Sequence, residues 1–156
     1  MHNKSTVFSY SIQEACLEDF ETIYQIEVKS FKNPWTYENY LNELGIPFSY
    51  TITAKCEKEI IGYALFWIVK DQIHLNKIAV ISNYRRRGVA GALIDYIMSK
   101  FKDTGAKIIY LEVREKNSGA RKFYEKLGFR ENGIRKNYYP DDNAVMIEKD
   151  LTPSVH

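Results

Sequence analysis

Residues 107–129 read KIIYLEVREKNSGARKFYEKLGF. The opening KIIYLEV is rich in β-branched and aromatic residues and reads as a strand. Asn117 stands where a helix N-cap belongs, and Gly128 stands at the C′ position that ends a helix over 117–127. The segment is therefore a strand, a short turn and a helix. Alternation puts Ile109, Leu111 and Val113 on a core-facing side and Tyr110, Glu112 and Arg114 on the other. Glutamate is depleted in strands, so Glu112 is either the polar face of a half-solvated strand or a group with a chemical task. A strand climbs about 3.3 Å per residue and a helix returns about 1.5 Å per residue, which brings Tyr124 back to the depth of Glu112. A carboxylate and a phenol at one depth can serve as base and acid. Tyr124 also shares a helix face with Ala120, Phe123 and Leu127, which core packing alone would explain.

Upstream, residues 76–91 read NKIAVISNYRRRGVAG. A strand ends, a loop delivers Arg85, Arg86 and Arg87, and a helix opens on Gly88, Ala90 and Gly91. The unpaired N–H groups of a helix N-terminus, with the positive end of its dipole, favour an anion such as phosphate or pyrophosphate. Neither GxxxxGK[ST] nor GxGxxG occurs. An ordinary basic loop capping a helix has the same composition. His74 alternates with Asn76 and Ile78 on this strand, and reads either as a satisfied structural histidine or as part of a proton relay.

Further outward, residues 8–15 alternate as a first strand, and the apolar residues at 17, 20, 23, 24 and 31 have a helix period. Thr36 and Gly45 bracket a short second helix. Strands follow over 48–56, 60–69 and 72–81, the first two joined by the polar turn Glu57-Lys58-Glu59. A helix over 88–101 has apolar residues at 89, 90, 93, 94, 97, 98 and 101. Strands over 129–139 and 144–151 close the chain around Pro140-Asp141-Asp142. The order β-α-α-β-β-β-α-β-α-β-β predicts an α/β protein with a mixed sheet and helices on both faces.

At 156 residues, without repeats or a linker-like stretch, residues 1–156 read as a single domain. A net charge of +2, from 22 Lys and Arg against 20 Asp and Glu, argues against direct nucleic-acid binding. Cys16 and Cys56 have neither CxxC spacing nor a histidine cluster, so no disulfide framework or metal site is expected. The apolar run over 60–69 is too short to span a bilayer, and MHNKSTVFSYS lacks the apolar core of a secretory leader. The expectation is a cytoplasmic protein that does not associate with membranes. Its 12 tyrosines are the compositional feature that a function has to account for.

IAV at 78–80, RRRGVA at 85–90 and LEVREKNSGARKFYEKLGF at 111–129 together resemble the GNAT acetyltransferase superfamily. More narrowly, the chain resembles the RimI-like N-terminal acetyltransferases and their archaeal and eukaryotic catalytic-subunit relatives. Arg135-Lys136-Asn137-Tyr138-Tyr139-Pro140 is similar to the RKxYYP segment near that family's C-terminus.

The resemblance implies the GNAT fold and acetyl transfer from acetyl-CoA, as cosubstrate and without a metal, to a protein α-amine. It implies that Ile78, Ala79 and Val80 pair with the pantetheine arm. Arg85, Arg86, Arg87, Gly88, Val89, Ala90 and Gly91 would hold the pyrophosphate, and Asn117 and Tyr124 would also contact CoA. Glu112 corresponds to the general base and Tyr124 to the acid for the departing thiolate, with the Val80 N–H on the developing oxyanion. Phe31, Pro34, Trp35, Tyr138 and Tyr139 would meet the acceptor, a protein N-terminus such as that of a ribosomal protein or a nascent chain. RimI-like members carry Phe-Pro-Trp here, whereas this chain has Lys32-Asn33 between Phe31 and Pro34. The aromatic wall favours small first residues. A lysine or small-amine acetyltransferase of the same fold is the alternative, and a non-catalytic CoA- or RNA-binding module is a third reading.

Overall fold

A computed structural model describes residues 8–101 and 104–151. The leader reading of residues 1–7, like the extreme ends of the single-domain reading, lies outside them. The strands are β1 (Ser11–Glu14), β2 (Ser49–Cys56), β3 (Glu59–Val69), β4 (Gln72–Val80), β5 (Ile108–Arg114), β6 (Arg130–Tyr139) and β7 (Asp142–Asp150). The helices are α1 (Phe20–Ser30), α2 (Tyr37–Glu43), α3 (Val89–Phe101) and α4 (Ser118–Lys126). The order matches the expected one, and the boundaries move slightly. The helix expected from residue 17 opens with a 3-10 turn, Leu17–Asp19, and the first strand shortens to four residues.

Local signals act as the sequence suggests. Thr36 Oγ1 accepts from Asn39 N–H while Asn39 Oδ1 accepts from Thr36 N–H, a reciprocal cap that starts α2. Asn117 Oδ1 accepts from Ala120 N–H and starts α4. Gly128, at φ +89°, ends it. There the Gly128 N–H donates to Glu125 O and the Phe129 N–H to Tyr124 O, a Schellman stop.

One seven-stranded sheet runs β1-β2-β3-β4-β5-β7-β6. Each neighbouring pair is antiparallel except β4 with β5. The larger core lies between the sheet and α3 and α4, where Leu93, Ile94 and Ile97 meet Ile109, Leu111 and Val113. A smaller core on the opposite face joins Phe20, Ile23, Ile26 and Tyr40 to Tyr63, Leu65 and Ala79. Among the described residues no helix is long and apolar enough to cross a membrane.

The parallel pair shapes the site. Its register contains only Gln72 with Ile108, Ile73 with Ile109 and His74 with Tyr110. Just beyond, Leu65 pairs with Lys77 and Phe66 with Leu75, so Asn76 is an extra residue in β4. A bulge bends and twists its strand. Past it, β4 stays with β3 and β5 stays with β7, and the two strands part.

Candidate active site

The opening between β4 and β5 leaves one edge of each strand without a sheet partner. The Ile81 N–H donates to Ile61 O, toward β3. Successive N–H groups of an extended strand point to opposite edges, so those of Val80 and Ile78 face the opening and that of Ala79 faces β3. Of the three backbones expected to pair with a pantetheine arm, Ile78 and Val80 have that orientation. Ala79 is turned to the sheet.

The bulge also corrects the expected alternation of His74, Asn76 and Ile78. Ile78 and Val80 pack against the larger core, while Ala79 belongs to the smaller one. Lys77, not Ile78, shares the face of His74.

Beyond β4 the chain makes a 3-10 turn, Ser82–Tyr84, and enters the arginine loop. Arg86 (φ +60°) and Gly88 (φ +86°) are both left-handed, and glycine adopts that conformation without steric cost. Among the described residues, no backbone acceptor pairs the N–H groups over 86–91, while Gly88 O takes the Ala92 N–H. The loop is thus a set of orphan donors at a helix start. Its arginines differ in setting. Arg85 Nε donates to Val80 O at 2.8 Å, and the Arg87 guanidinium lies 4.0 Å over the Phe8 ring. Val89 is buried, whereas Ala90 and Gly91 are half-buried at the helix start.

Glu112 and Tyr124 lie at opposite faces of the sheet. Glu112 is on the α1/α2 face, with its Oε2 2.7 Å from His74 Nε2. His74 stacks on Tyr110, ring centroids 4.5 Å apart and planes within 5°. Both readings of this histidine therefore meet in one partner. Tyr124 belongs to the larger core on the other face, its ring 5.4 Å from Phe129. Burial pushes its phenol well above the ordinary range, which keeps it protonated. Equal depth along the strand therefore does not put the two side chains on one side: the sheet lies between them, and a single small group meets both only through the opening.

Tyr138 and Tyr139 sit at the end of β6, rings 4.9 Å apart. Tyr139 OH approaches Glu112 O at 3.5 Å. Burial, Tyr138 and Glu112 push the Tyr139 phenol up to about 12. Across from them, Phe31 and Trp35 pack on the smaller core while Pro34 is exposed. Lys32 Nζ bonds Asp141 Oδ2 at 2.8 Å, and Arg114 pairs with the same carboxylate. The α1–α2 loop and the β6–β7 turn are therefore bridged on the side of Glu112. Lys32 and Arg114 hold Asp141 down at about 2.

The sequence reading missed Glu27 and Lys77, whose ion pair is buried behind this loop (Nζ to Oε2, 3.0 Å). A signal was present: Glu27 falls on the apolar stripe of α1, and Lys77 interrupts an otherwise apolar strand end. A charge in such a place needs a partner.

Residues 20–129 match the family model described as the acetyltransferase (GNAT) family. A [ribosomal protein bS18]-alanine N-acetyltransferase from Haemophilus influenzae is 37% identical over 92 residues, 59% of this chain and 61% of that protein. The chain thus aligns with less than two thirds of that curated relative. The ribosomal-protein-S18-alanine N-acetyltransferase of Escherichia coli superposes with a TM-score of 0.86 at 26% identity, covering 94% of this chain and 97% of that one. Ard1 from Thermoplasma volcanium gives a TM-score of 0.85, also at 26% identity, over 92% of this chain and 99% of its own.

Proposed function

The chain belongs to the GNAT acetyltransferase family, and from that premise we propose that it transfers acetyl from acetyl-CoA to the α-amine of a protein. The observation that carries this reading is the opening between β4 and β5. It has orphan backbone donors at one end and an ionisable group on each side of the sheet. Ile78 and Val80 supply edge N–H groups to the pantetheine arm, and the donors over 86–91, with the arginines, take the pyrophosphate. Asn117 has its Oδ1 committed to the helix cap, which leaves its amide N–H₂ for the cosubstrate.

The cosubstrate supplies an activated thioester, and orientation by both strands does much of the work. An α-amine has a pKa of about 7.7–8.0 and attacks when neutral. Glu112, oriented by His74, takes its proton directly or through one water. The Val80 N–H supports the carbonyl oxygen as it gains charge. Tyr124, kept protonated by burial, donates its O–H to the departing sulfur. The amine gains the acetyl group and loses a proton to the Glu112–His74 pair, and the thiolate leaves as CoA.

Phe31, Pro34 and Trp35 face the first residue of the acceptor, with Tyr138 and Tyr139 along its backbone. The relatives' names make a ribosomal protein with N-terminal alanine the first acceptor to test, and an acceptor of that kind supports a cytoplasmic place of action. Incubation with acetyl-CoA and a peptide library varied at its first two residues, read by mass spectrometry, should show +acetyl on the α-amine, chiefly with small first residues. Transfer only to lysine in α-blocked peptides would instead establish the alternative.

A further inference from the structure

Glu27 has no solvent exposure, yet its carboxylate accepts four hydrogen bonds, two on each oxygen. Oε1 takes Tyr40 OH at 2.5 Å and Tyr63 OH at 2.6 Å. Oε2 takes the Trp35 N–H at 2.8 Å and Lys77 Nζ at 3.0 Å. The donors come from α2, β3, the α1–α2 loop and β4. Stability alone does not call for such a site, because well-packed apolar residues often replace a buried ion pair at no loss.

What Glu27 holds is more specific. Its main-chain oxygen accepts the Phe31 N–H at 3.0 Å, and its carboxylate accepts the Trp35 N–H. One residue therefore fastens the loop over 31–35 at both ends. Lys77 adds a second constraint from behind, with Nζ 4.5 Å from the Phe31 ring centroid and 5.1 Å from that of Trp35. Lys77 immediately precedes Ile78, whose N–H faces the opening. A rigid path thus joins the edge offered to the cosubstrate to the aromatic wall offered to the acceptor.

We propose that Glu27 and Lys77 are positioning residues for the acceptor: the pair holds Phe31 and Trp35 in place and so sets the pocket for the first residue of the acceptor. This rests on the α-amine acetyltransferase reading given above. Neither residue touches the reacting atoms. Their removal acts on acceptor binding and first-residue selectivity rather than on cosubstrate binding.

The test compares full-length Lys77→Met, Lys77→Arg, Glu27→Gln and Tyr63→Phe with the unmodified protein. Tyr63→Phe removes a donor to the same carboxylate without touching the loop, and so reports the stability contribution alone. Lys77→Met should raise KM for an alanine-first peptide at least tenfold, with kcat within about threefold and acetyl-CoA Kd unchanged. Its peptide-library profile should broaden at the first residue, and Lys77→Arg should recover part of both effects. Tyr63→Phe should lower Tm while leaving KM within about twofold. Should Glu27→Gln fail to fold, the Lys77 pair still decides the matter. An active parent enzyme whose KM and selectivity survive Lys77→Met, or change no more than in Tyr63→Phe, overturns the positioning role alone. A parent that acetylates no α-amine overturns the functional reading first, and this inference with it.

Discussion

The Glu112 carboxylate has, among the described residues, one side-chain partner: His74 Nε2, on Oε2. Oε1 is left to meet an amine or a water, which is the arrangement a base requires. Glu112→Gln should therefore reduce kcat by well over tenfold while acetyl-CoA Kd, measured by calorimetry, stays within about twofold. Tyr124→Phe should lose a similar factor in kcat. Retention of full turnover in both variants would sink the assigned roles. Period-2 alternation made the face of Glu112 legible in advance. Its link to His74, 38 positions earlier, depended on which strands become neighbours, and alternation says nothing about that. The aromatic run around Tyr124 was legible as a helix face, but its side of the sheet was not.

At the scale of the element, the run from Asn117 to Phe129 shows how a sequence motif positions the phenol proposed as the acid. The Asn117 cap starts α4. The Schellman stop then turns the chain at Gly128 so that Phe129 packs on Tyr124 and fixes its ring. Gly128→Ala would put a side chain on a left-handed residue, at a cost of about 1–2 kcal/mol. Its Cβ would also come within 3.2 Å of Lys149 Nζ. Urea unfolding should register that loss, and kcat should fall with it because the ring loses its support. Cap and stop were both readable, being local hydrogen bonds between residues within five positions. The bulge at Asn76 was not, since β4 looks like ordinary alternation until β3 and β5 lie beside it.

For the whole molecule, three buried phenols offer a global test. Tyr40, Tyr63 and Tyr124 all lie above their ordinary value, in each case chiefly through burial. The folded protein then holds these protons more tightly than the unfolded chain, whose phenols ionise near pH 10. Their contribution is complete below about pH 9 and is lost progressively as pH rises above about 10 toward the raised values of the folded state. Unfolding free energy should fall between about pH 9 and pH 11, with a shallower slope in Tyr63→Phe; a flat profile would contradict the burial of these groups. The tyrosines that stood out in the composition thus divide by place: Tyr40 and Tyr63 lie in the smaller core, Tyr124 in the larger one, and Tyr138 and Tyr139 at the end of β6. The sequence by itself determined the element order, the caps and stops, the core-facing side of β5 and the family motifs, because each depends on neighbours within a few residues or on a simple period. Only the tertiary structure decided that Glu112 and Tyr124 stand on opposite faces of the sheet, that β4 and β5 part between them, and that Glu27 and Lys77 brace the loop over 31–35. Those facts rest on strand register and on pairs such as Glu27 and Lys77, 50 positions apart, which meet only when the sheet and its covering helices have assembled.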